Sequence, residues 1–131
     1  MKTELVNPNI ANFIKSLRDV GYTFEIAVAD VLDNSISAHA TEVKIYTVPK
    51  PEVFFCMLDN GDGMSEFELT EAMRLATKNP DDDRDKKDLG RFGLGLKTAS
   101  FSQCKKLTVL SKKDVVVSAK QWDLDYISNN N

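Results

Sequence analysis

A short turn in the middle of the chain carries residue types that could bind a small ligand. Residues 59–64 (Asp-Asn-Gly-Asp-Gly-Met) follow the apolar run 53–58, whose composition, with Pro51 before it, predicts a strand buried on both faces. A carboxylate at the mouth of an apolar layer loses hydration and needs a hydrogen-bond donor. Glycines beside it permit positive φ and close approach of another group. The turn therefore suits a ligand with a donor edge and a flat apolar face, or else is a β-turn with a solvated Asp.

A second polar set lies on one face of a predicted helix. Thr23 is the predicted N-cap of a helix that runs from Phe24 to about Ala38 and is apolar around much of its circumference. The exceptions are Asp30, Asp33, Asn34 and Ser37, at i, i+3, i+4 and i+7. Such a stripe either faces water or lines a site, and its apolar flanks favour a site.

A glycine-rich segment supplies the third set. Residues 90–98 (Gly-Arg-Phe-Gly-Leu-Gly-Leu-Lys-Thr) lead into a predicted short helix that ends near Ser102. A Walker A loop is excluded because Leu96 separates the last glycine from the lysine. A glycine-rich turn entering a helix still offers backbone N–H groups and a positive dipole end to phosphate. The preceding residues 77–89 are highly charged, which predicts a solvated loop and is compatible with a lid.

The other elements of the first half are a helix and a hairpin. Apolar residues at helical spacing predict a helix over residues 8–20, with Pro8 near its start and Gly21 just past its end. Alternation over residues 42–48 predicts a half-buried strand. The segment 49–51 (Pro-Lys-Pro) would then turn it into the apolar run as an antiparallel hairpin.

The second half is predicted to contain a capped helix and another hairpin. Ser65 and Glu68 have capping-box form and open a helix to about Ala76. Its predicted apolar side consists of Phe67, Ala72, Met73 and Ala76. Strands are predicted at 106–110 and 115–119 around a turn at 111–114, residues 122–127 are ambiguous between helix and strand, and 128–131 are predicted to fray.

Composition limits the function classes. With 131 residues, 42% hydrophobic and 28% charged, the sequence predicts one soluble globular domain. The net charge of −3 gives no global electrostatic case for nucleic-acid binding. Cys56, Cys104 and the single His39 argue against structural disulfides and zinc. No apolar run approaches a membrane span, and a cytoplasmic location is the default expectation.

The three polar sets, in this order, resemble the GHKL superfamily, which includes gyrase B, the ninety-kilodalton heat-shock chaperone, histidine kinases, MutL proteins and MORC ATPases. Residues 30–34 are similar to its N box, 59–63 to its adenine motif and 90–96 to its lid-end motif. The glycine segment and the hairpin after it are most similar to MORC-type and MutL-type members. The resemblance implies an α+β Bergerat fold, a two-layer α/β sandwich with helices on one face of a mixed, mostly antiparallel sheet. It also implies that residues 1–131 are a single ATP-binding domain, which is either part of a longer protein or a truncated relative.

The resemblance also implies a role for each site residue. Asp30 would be the catalytic base for the attacking water, Asn34 would present its amide oxygen to Mg²⁺, and Asp59 would accept the adenine amino group. The implied ATP-binding residues are Asn34, Asp59, Gly61, Gly63, Met64, Gly90, Phe92, Gly93, Leu94, Gly95, Leu96 and Lys97. Family members usually carry Glu at the position of Asp30 and often Asp at the position of Ser37.

The implied function is a domain that binds ATP and Mg²⁺ and hydrolyses ATP slowly. A lid over about 77–92 would couple nucleotide state to partner binding or to a homodimer formed through the N-terminal segment and the lid. No membrane partner is expected, and nucleic acid only through other domains. The alternative is a nucleotide-sensing module that binds ATP without hydrolysing it.

Overall fold

The computed structural model describes residues 12, 15, 16, 18, 19, 21–74 and 95–130. Its elements, in chain order, are α1 (Phe24–Ser37), β1 (Val43–Val48), β2 (Phe54–Asp59), α2 (Glu66–Met73), α3 (Gly95–Gln103), β3 (Lys106–Lys113), β4 (Val116–Asp123) and α4 (Leu124–Asn130). Of the helix predicted over residues 8–20, Asn12, Lys15, Ser16 and Arg18 have helical backbone and most of the rest lies outside the described residues.

Helix α1 forms as predicted from its cap and its periodicity. The side chain of Thr23 accepts a hydrogen bond from the backbone N–H of Ile26, and Ala38 is the C-cap. Ala27 and Ser35 are its buried residues. The helix packs against α3, so α1 and the helix that follows the glycine segment are neighbours.

The first hairpin is confirmed, but its burial was predicted wrongly. β1 and β2 pair antiparallel from Val43↔Asp59 to Val48↔Phe54. Val53 is nevertheless 87% exposed and Ile45 48% exposed, so the apolar run is not buried on both faces and β1 is largely exposed. Apolar composition predicts burial only where another layer covers the strand, and in the part of the chain that is described this ladder has two strands.

The second hairpin is longer than predicted. β3 and β4 pair from Lys106↔Asp123 to Lys113↔Val116, which places the turn at Asp114-Val115 instead of 111–114. The polar run that suggested a turn belongs to β3 because its side chains have tertiary partners: Lys113, for example, pairs with Glu68. Asp114 takes a positive φ of 55°, which suits a two-residue hairpin turn.

The chain end is helical where fraying was predicted. The Asp123 carboxylate accepts hydrogen bonds from the backbone N–H groups of Asp125 and Tyr126, which caps α4 at its N-terminus. The ambiguous stretch is therefore divided: residues 122–123 finish β4 and 124–127 start α4. Residues 128–130 continue that helix, and residue 131 lies outside the described part.

Helix α2 has the predicted capping box but ends three residues early. Ser65 accepts from the Glu68 backbone N–H, and the Glu68 side chain accepts from the Ser65 backbone N–H. Arg74 is extended, with ψ of 139°, so the helix stops at Met73 and not near Ala76. Its predicted apolar side is corrected too, because Phe67 is 74% exposed whereas Leu69 is fully buried.

The α+β class is confirmed, with helices beside small antiparallel sheets. Within the described residues the strands pair as two separate two-stranded ladders, β1–β2 and β3–β4. Helix α2 packs on β4, and the Phe101 and Trp122 rings meet edge to face at 6.2 Å. The buried apolar residues are Ala27, Leu69, Met73, Ala99 and Phe101. No helix in the described ranges is long and apolar enough to cross a membrane.

Candidate functional site

Asp59 stands at the end of β2 and its carboxylate is held at both oxygens. The buried Ser35 hydroxyl donates to Oδ2 at 2.8 Å, and the backbone N–H of Gly61 donates to Oδ1 at 2.9 Å. These are the donors that the sequence argument required. A carboxylate oxygen accepts along two lone-pair directions, so each retains acceptor capacity for a further donor. Asp59 is therefore oriented and able to accept a hydrogen bond from a ligand.

Asn60 fastens the turn to the start of β1. Its side-chain oxygen accepts from the backbone N–H groups of Thr41 and Glu42, both at 2.9 Å, and its amide nitrogen donates to the Thr41 hydroxyl at 2.9 Å. The Asn60 backbone N–H also donates to the Glu42 carbonyl. Four hydrogen bonds thus fix the residue after Asp59, which limits how far that carboxylate can move.

The two glycines of the turn are required by close approach of the chain's own backbone. A Cβ at position 61 would lie 2.7 Å from the carbonyl oxygen of Ala38. Gly63 has a φ of +70°, and a Cβ there would overlap the carbonyl oxygen of Lys112 in β3. Met64, next in sequence, donates its backbone N–H to the buried hydroxyl of Ser111 at 2.7 Å. The turn is consequently packed between the end of α1 and β3.

Asp62 and His39 form a further link between α1 and the turn. Their Oδ2 and Nδ1 atoms lie 2.7 Å apart with both side chains largely exposed, and the pair is ionic when His39 is protonated. The Asp62 backbone N–H donates to the Ala38 carbonyl at 2.8 Å. His39 has a φ of 60° just past the helix end, which brings its ring towards the turn.

The stripe on α1 presents Asp30 and Asn34 one turn apart. The Tyr22 hydroxyl donates to Asp30 Oδ2 at 2.9 Å. That hydrogen bond, burial and the negative charge of Asp30 together raise the pKa of Tyr22. The Asn34 amide nitrogen donates to the Asp30 carbonyl at 2.9 Å, which leaves the amide oxygen as the atom that can face a metal. An amide oxygen next to a carboxylate suits Mg²⁺, a cation that takes oxygen ligands.

Lys97 is buried, whereas Asn34 and Asp59 of the predicted ATP-binding set are exposed. Lys97 is only 1% exposed, and its Nζ donates to the carbonyl oxygen of Arg74 at the end of α2. Burial lowers the pKa of Lys97, and the negative charge of Glu71 opposes that shift. Gly95 and Leu96 form the first turn of α3, and a Cβ at Gly95 would meet no atom within 4 Å. Gly90, Phe92, Gly93, Leu94 and the predicted lid at 77–92 lie outside the described residues.

Sequence reasoning missed three residues that organise this region. Ser35 follows Asn34 and lies one turn after the half-buried Val31 and Leu32, so a small polar residue at that position was a signal that could have been used. Tyr22 precedes the helix cap and gave no periodic signal. Ser111 lies 47 residues from Met64 in sequence, and nothing in the local pattern predicts that contact.

Comparison with known proteins gives a family assignment. A family model described as histidine kinase-, DNA gyrase B- and HSP90-like ATPase matches residues 22–131. The mouse protein "ATPase MORC2B" is 29% identical over 99 residues, covering 70% of this chain and 9% of the relative. The nematode Caenorhabditis elegans protein "ATPase morc-1" is 29% identical over 119 residues, 90% of this chain and 14% of the relative. The human protein "ATPase MORC2" is 27% identical over 95 residues, 67% of this chain and 9% of the relative.

These matches confirm the predicted resemblance to the GHKL superfamily and, within it, to MORC-type members. The chain corresponds to a small part of each relative, 9–14% of its length. The matched segment includes Tyr22, the α1 stripe, the turn at 59–64 and the glycine segment. The chain belongs to the family of histidine kinase-, DNA gyrase B- and HSP90-like ATPases.

Proposed function

We propose that this domain binds ATP together with Mg²⁺ and hydrolyses the nucleotide slowly. The observation that carries the proposal is the Asp59 carboxylate, which is fixed by Ser35 and Gly61 and keeps acceptor capacity on both oxygens. The adenine amino group is a donor that can use this remaining acceptor capacity. A hydrogen bond to a charged group contributes about 1.5–3 kcal/mol, which is enough to select the base.

The phosphate side of the proposal rests on α1 and on the start of α3. Asn34 would hold Mg²⁺ through its amide oxygen, and the ion when bound supplies charge neutralisation on the phosphates. The backbone N–H groups of Gly95 and Leu96, in the first described turn of α3, would bind phosphate oxygens if they lie at the start of that helix. The packing of α3 against α1 supports placing these two groups on one ligand.

Asp30 is the proposed base for the attacking water. Its carboxylate is half-buried and oriented by Tyr22, which favours a defined hydrogen bond to water. The side chain is one methylene shorter than glutamate. Because a misplacement of about 1 Å can lower a rate by roughly 100-fold, slow turnover is expected.

The second candidate function is nucleotide sensing without hydrolysis. It is favoured by the short side chain of Asp30. In either case, the family resemblance supports coupling of nucleotide state to dimerisation or partner binding through residues 77–92.

Calorimetric titration with ATP and Mg²⁺ tests the binding proposal. The wild type should bind, and Asp59→Asn should bind at least tenfold more weakly, because the amide nitrogen presents a donor where the base presents one too. Asp125→Asn, an exposed change on α4, is the matched control and should bind like the wild type. Absence of binding by the wild type, or equal affinity of a folded Asp59→Asn, rejects the site.

Steady-state hydrolysis by Asp30 variants tests the reaction. Asp30→Ala should lose turnover while retaining affinity within a few fold. Asp30→Glu should hydrolyse faster than the wild type if reach limits the rate. Wild-type-like turnover by Asp30→Ala would remove Asp30 from the mechanism. ATP binding with no measurable turnover in the wild type would favour the sensing function.

A further inference from the structure

Tyr22 makes a contact with the proposed base that the family motifs do not include. Tyr22 lies two residues before α1, and Asp30 lies two turns into that helix. The phenol hydroxyl nevertheless reaches Asp30 Oδ2 at 2.9 Å, across eight residues of sequence. Both side chains are half-buried, so water competes for this hydrogen bond less than it would at an open surface.

A second contact ties Tyr22 to another helix. The Gln103 side chain, on the last residue of α3, donates to the Tyr22 backbone carbonyl at 3.1 Å. The same amide nitrogen lies 3.1 Å from the Ser102 hydroxyl. Because α3 also packs against α1, the position of Tyr22 is set by both helices and not by a free loop.

We propose that Tyr22 is a positioning residue for Asp30: its hydroxyl holds Oδ2 and leaves Oδ1 as the atom that takes a proton from water. This rests on the proposed function, in which Asp30 is the base. The water oxygen forms a bond to the γ-phosphorus while the bond from that phosphorus to the ADP oxygen breaks. The water proton passes to Asp30 Oδ1 and is then released to solvent or to the phosphate.

The shortness of Asp30 gives this contact its importance. Aspartate has one methylene fewer than glutamate, so fewer orientations of its side chain bring a carboxylate oxygen to the water. A hydrogen bond that holds the carboxylate in one such orientation therefore matters more for Asp30. A phenol is suited to the task because it donates one hydrogen bond and carries no charge. A tyrosine hydroxyl is protonated at neutral pH, and the hydrogen bond to Asp30 raises the pKa of Tyr22 further.

The test compares the wild type, Tyr22→Phe, Asp30→Ala and the double variant, with Tyr126→Phe as control. Tyr126 lies on α4 and is 68% exposed, so the control removes a hydroxyl away from Asp30. Tyr22→Phe should keep ATP affinity and KM while lowering kcat about tenfold. In the Asp30→Ala background the same change should leave the residual turnover, measured at high enzyme concentration, unchanged, because the hydroxyl acts only through that carboxylate.

A second readout does not require turnover. The pKa of Tyr22 is followed by ultraviolet absorbance of the phenolate, and the late-titrating phenol should disappear in Tyr22→Phe. In Asp30→Asn the same phenol should titrate at lower pH, since the negative partner is gone. Circular dichroism establishes that each variant is folded.

The outcomes separate this inference from the proposed function. If the wild type hydrolyses ATP, Asp30→Ala does not, and Tyr22→Phe is as fast as the wild type, Tyr22 has no positioning role. If the wild type fails to bind ATP, or Asp30→Ala is as active as the wild type, the proposed function fails instead. The Tyr22 titration then decides the contact alone, and a curve unchanged by Asp30→Asn overturns it.

Discussion

The Ser35 hydroxyl lies 2.8 Å from Asp59 Oδ2, although the two residues are 24 positions apart and belong to different elements. Ser35 is 4% exposed, whereas Asp59 is exposed at the end of β2. The contact joins α1 to the turn at 59–64, and the Gly61 N–H fixes the other oxygen. The acceptor proposed to select adenine is thus oriented before any ligand binds, which reduces the entropy lost on binding.

Replacing Ser35 by Ala should weaken ATP binding about tenfold. The change removes a hydrogen bond to a charged group, worth roughly 1.5 kcal/mol, and leaves Asp59 free to rotate. Ser128→Ala, an exposed change on α4 and away from the site, should bind ATP like the wild type. Calorimetric titration of the two variants compares them directly. Equal affinities would show that the orientation of Asp59 does not depend on this hydroxyl.

Gly63→Ala should destabilise the fold far more than Gly21→Ala. Both glycines have positive φ, +70° and +80°, so both substitutions carry a backbone strain of about 1–2 kcal/mol. A Cβ at position 63 would also overlap the Lys112 carbonyl, whereas one at position 21 would meet nothing within 4 Å. Overpacking should add roughly 1–3 kcal/mol at position 63 alone.

Urea denaturation measures this difference. The free energy of unfolding should fall by more in Gly63→Ala than in Gly21→Ala, and only the former should lose ATP binding. Similar losses in both variants would mean that β3 can move away from the turn without penalty.

The stability of the domain should decrease when the pH is lowered below 4.5, because Glu68 then becomes protonated. The hydrogen bond from Lys113, followed by the bonds within the capping box at Ser65, lowers the pKa of Glu68 from 4.5 to about 2. A carboxyl whose folded pKa is depressed contributes stability that is fully present above its unfolded pKa. That contribution is lost as pH falls from about 4.5 towards 2.

Glu68→Gln should flatten this part of the pH profile, as measured by thermal unfolding between pH 2 and 6. Added salt should reduce the wild-type slope, because the pair with Lys113 is partly exposed and is screened. Glu52→Gln, an exposed change between β1 and β2, is the control and should keep the wild-type slope. A slope unchanged by Glu68→Gln would assign the acid sensitivity to other carboxyls.

Lys97→Met should weaken binding of ATP and adenosine by the same factor. The Lys97 Nζ is engaged by the Arg74 carbonyl at the end of α2, so its loss should act through the fold and not on phosphate. Titration with both ligands, beside the exposed Lys44→Met as control, measures the ratio of affinities. A loss of roughly tenfold or more for ATP alone would show that Lys97 reaches the phosphates after all.

The elements near the site were predictable because local rules determine them. The cap at Thr23 and the capping box at Ser65 are satisfied within four residues, so a short window contains all the information. The glycines of the 59–64 turn also signalled close approach. The pattern did not reveal that the approaching groups are the Ala38 and Lys112 carbonyls.

The predictions of secondary structure and burial failed where contacts between residues distant in sequence determine the local structure. The polar run at 111–113 resembles a turn, and it is a strand because Ser111 binds Met64 and Lys113 binds Glu68. Burial of the apolar run 53–58 depends on a covering layer that composition cannot supply. The role of Lys97 as a phosphate ligand stays a prediction, and its burial and its contact with the Arg74 carbonyl could be seen only in three dimensions.

Trp122 gives the domain an intrinsic optical probe. It is the single tryptophan of the sequence, and its indole N–H donates to the Met73 carbonyl at 2.8 Å while its ring meets Phe101 edge to face. Indole emission depends on the polarity and hydrogen bonding around the ring. A shift in the emission wavelength or a change in the emission intensity of Trp122 would therefore report a rearrangement where α2, α3 and β4 meet. The measurement needs no added label and no substitution in the site.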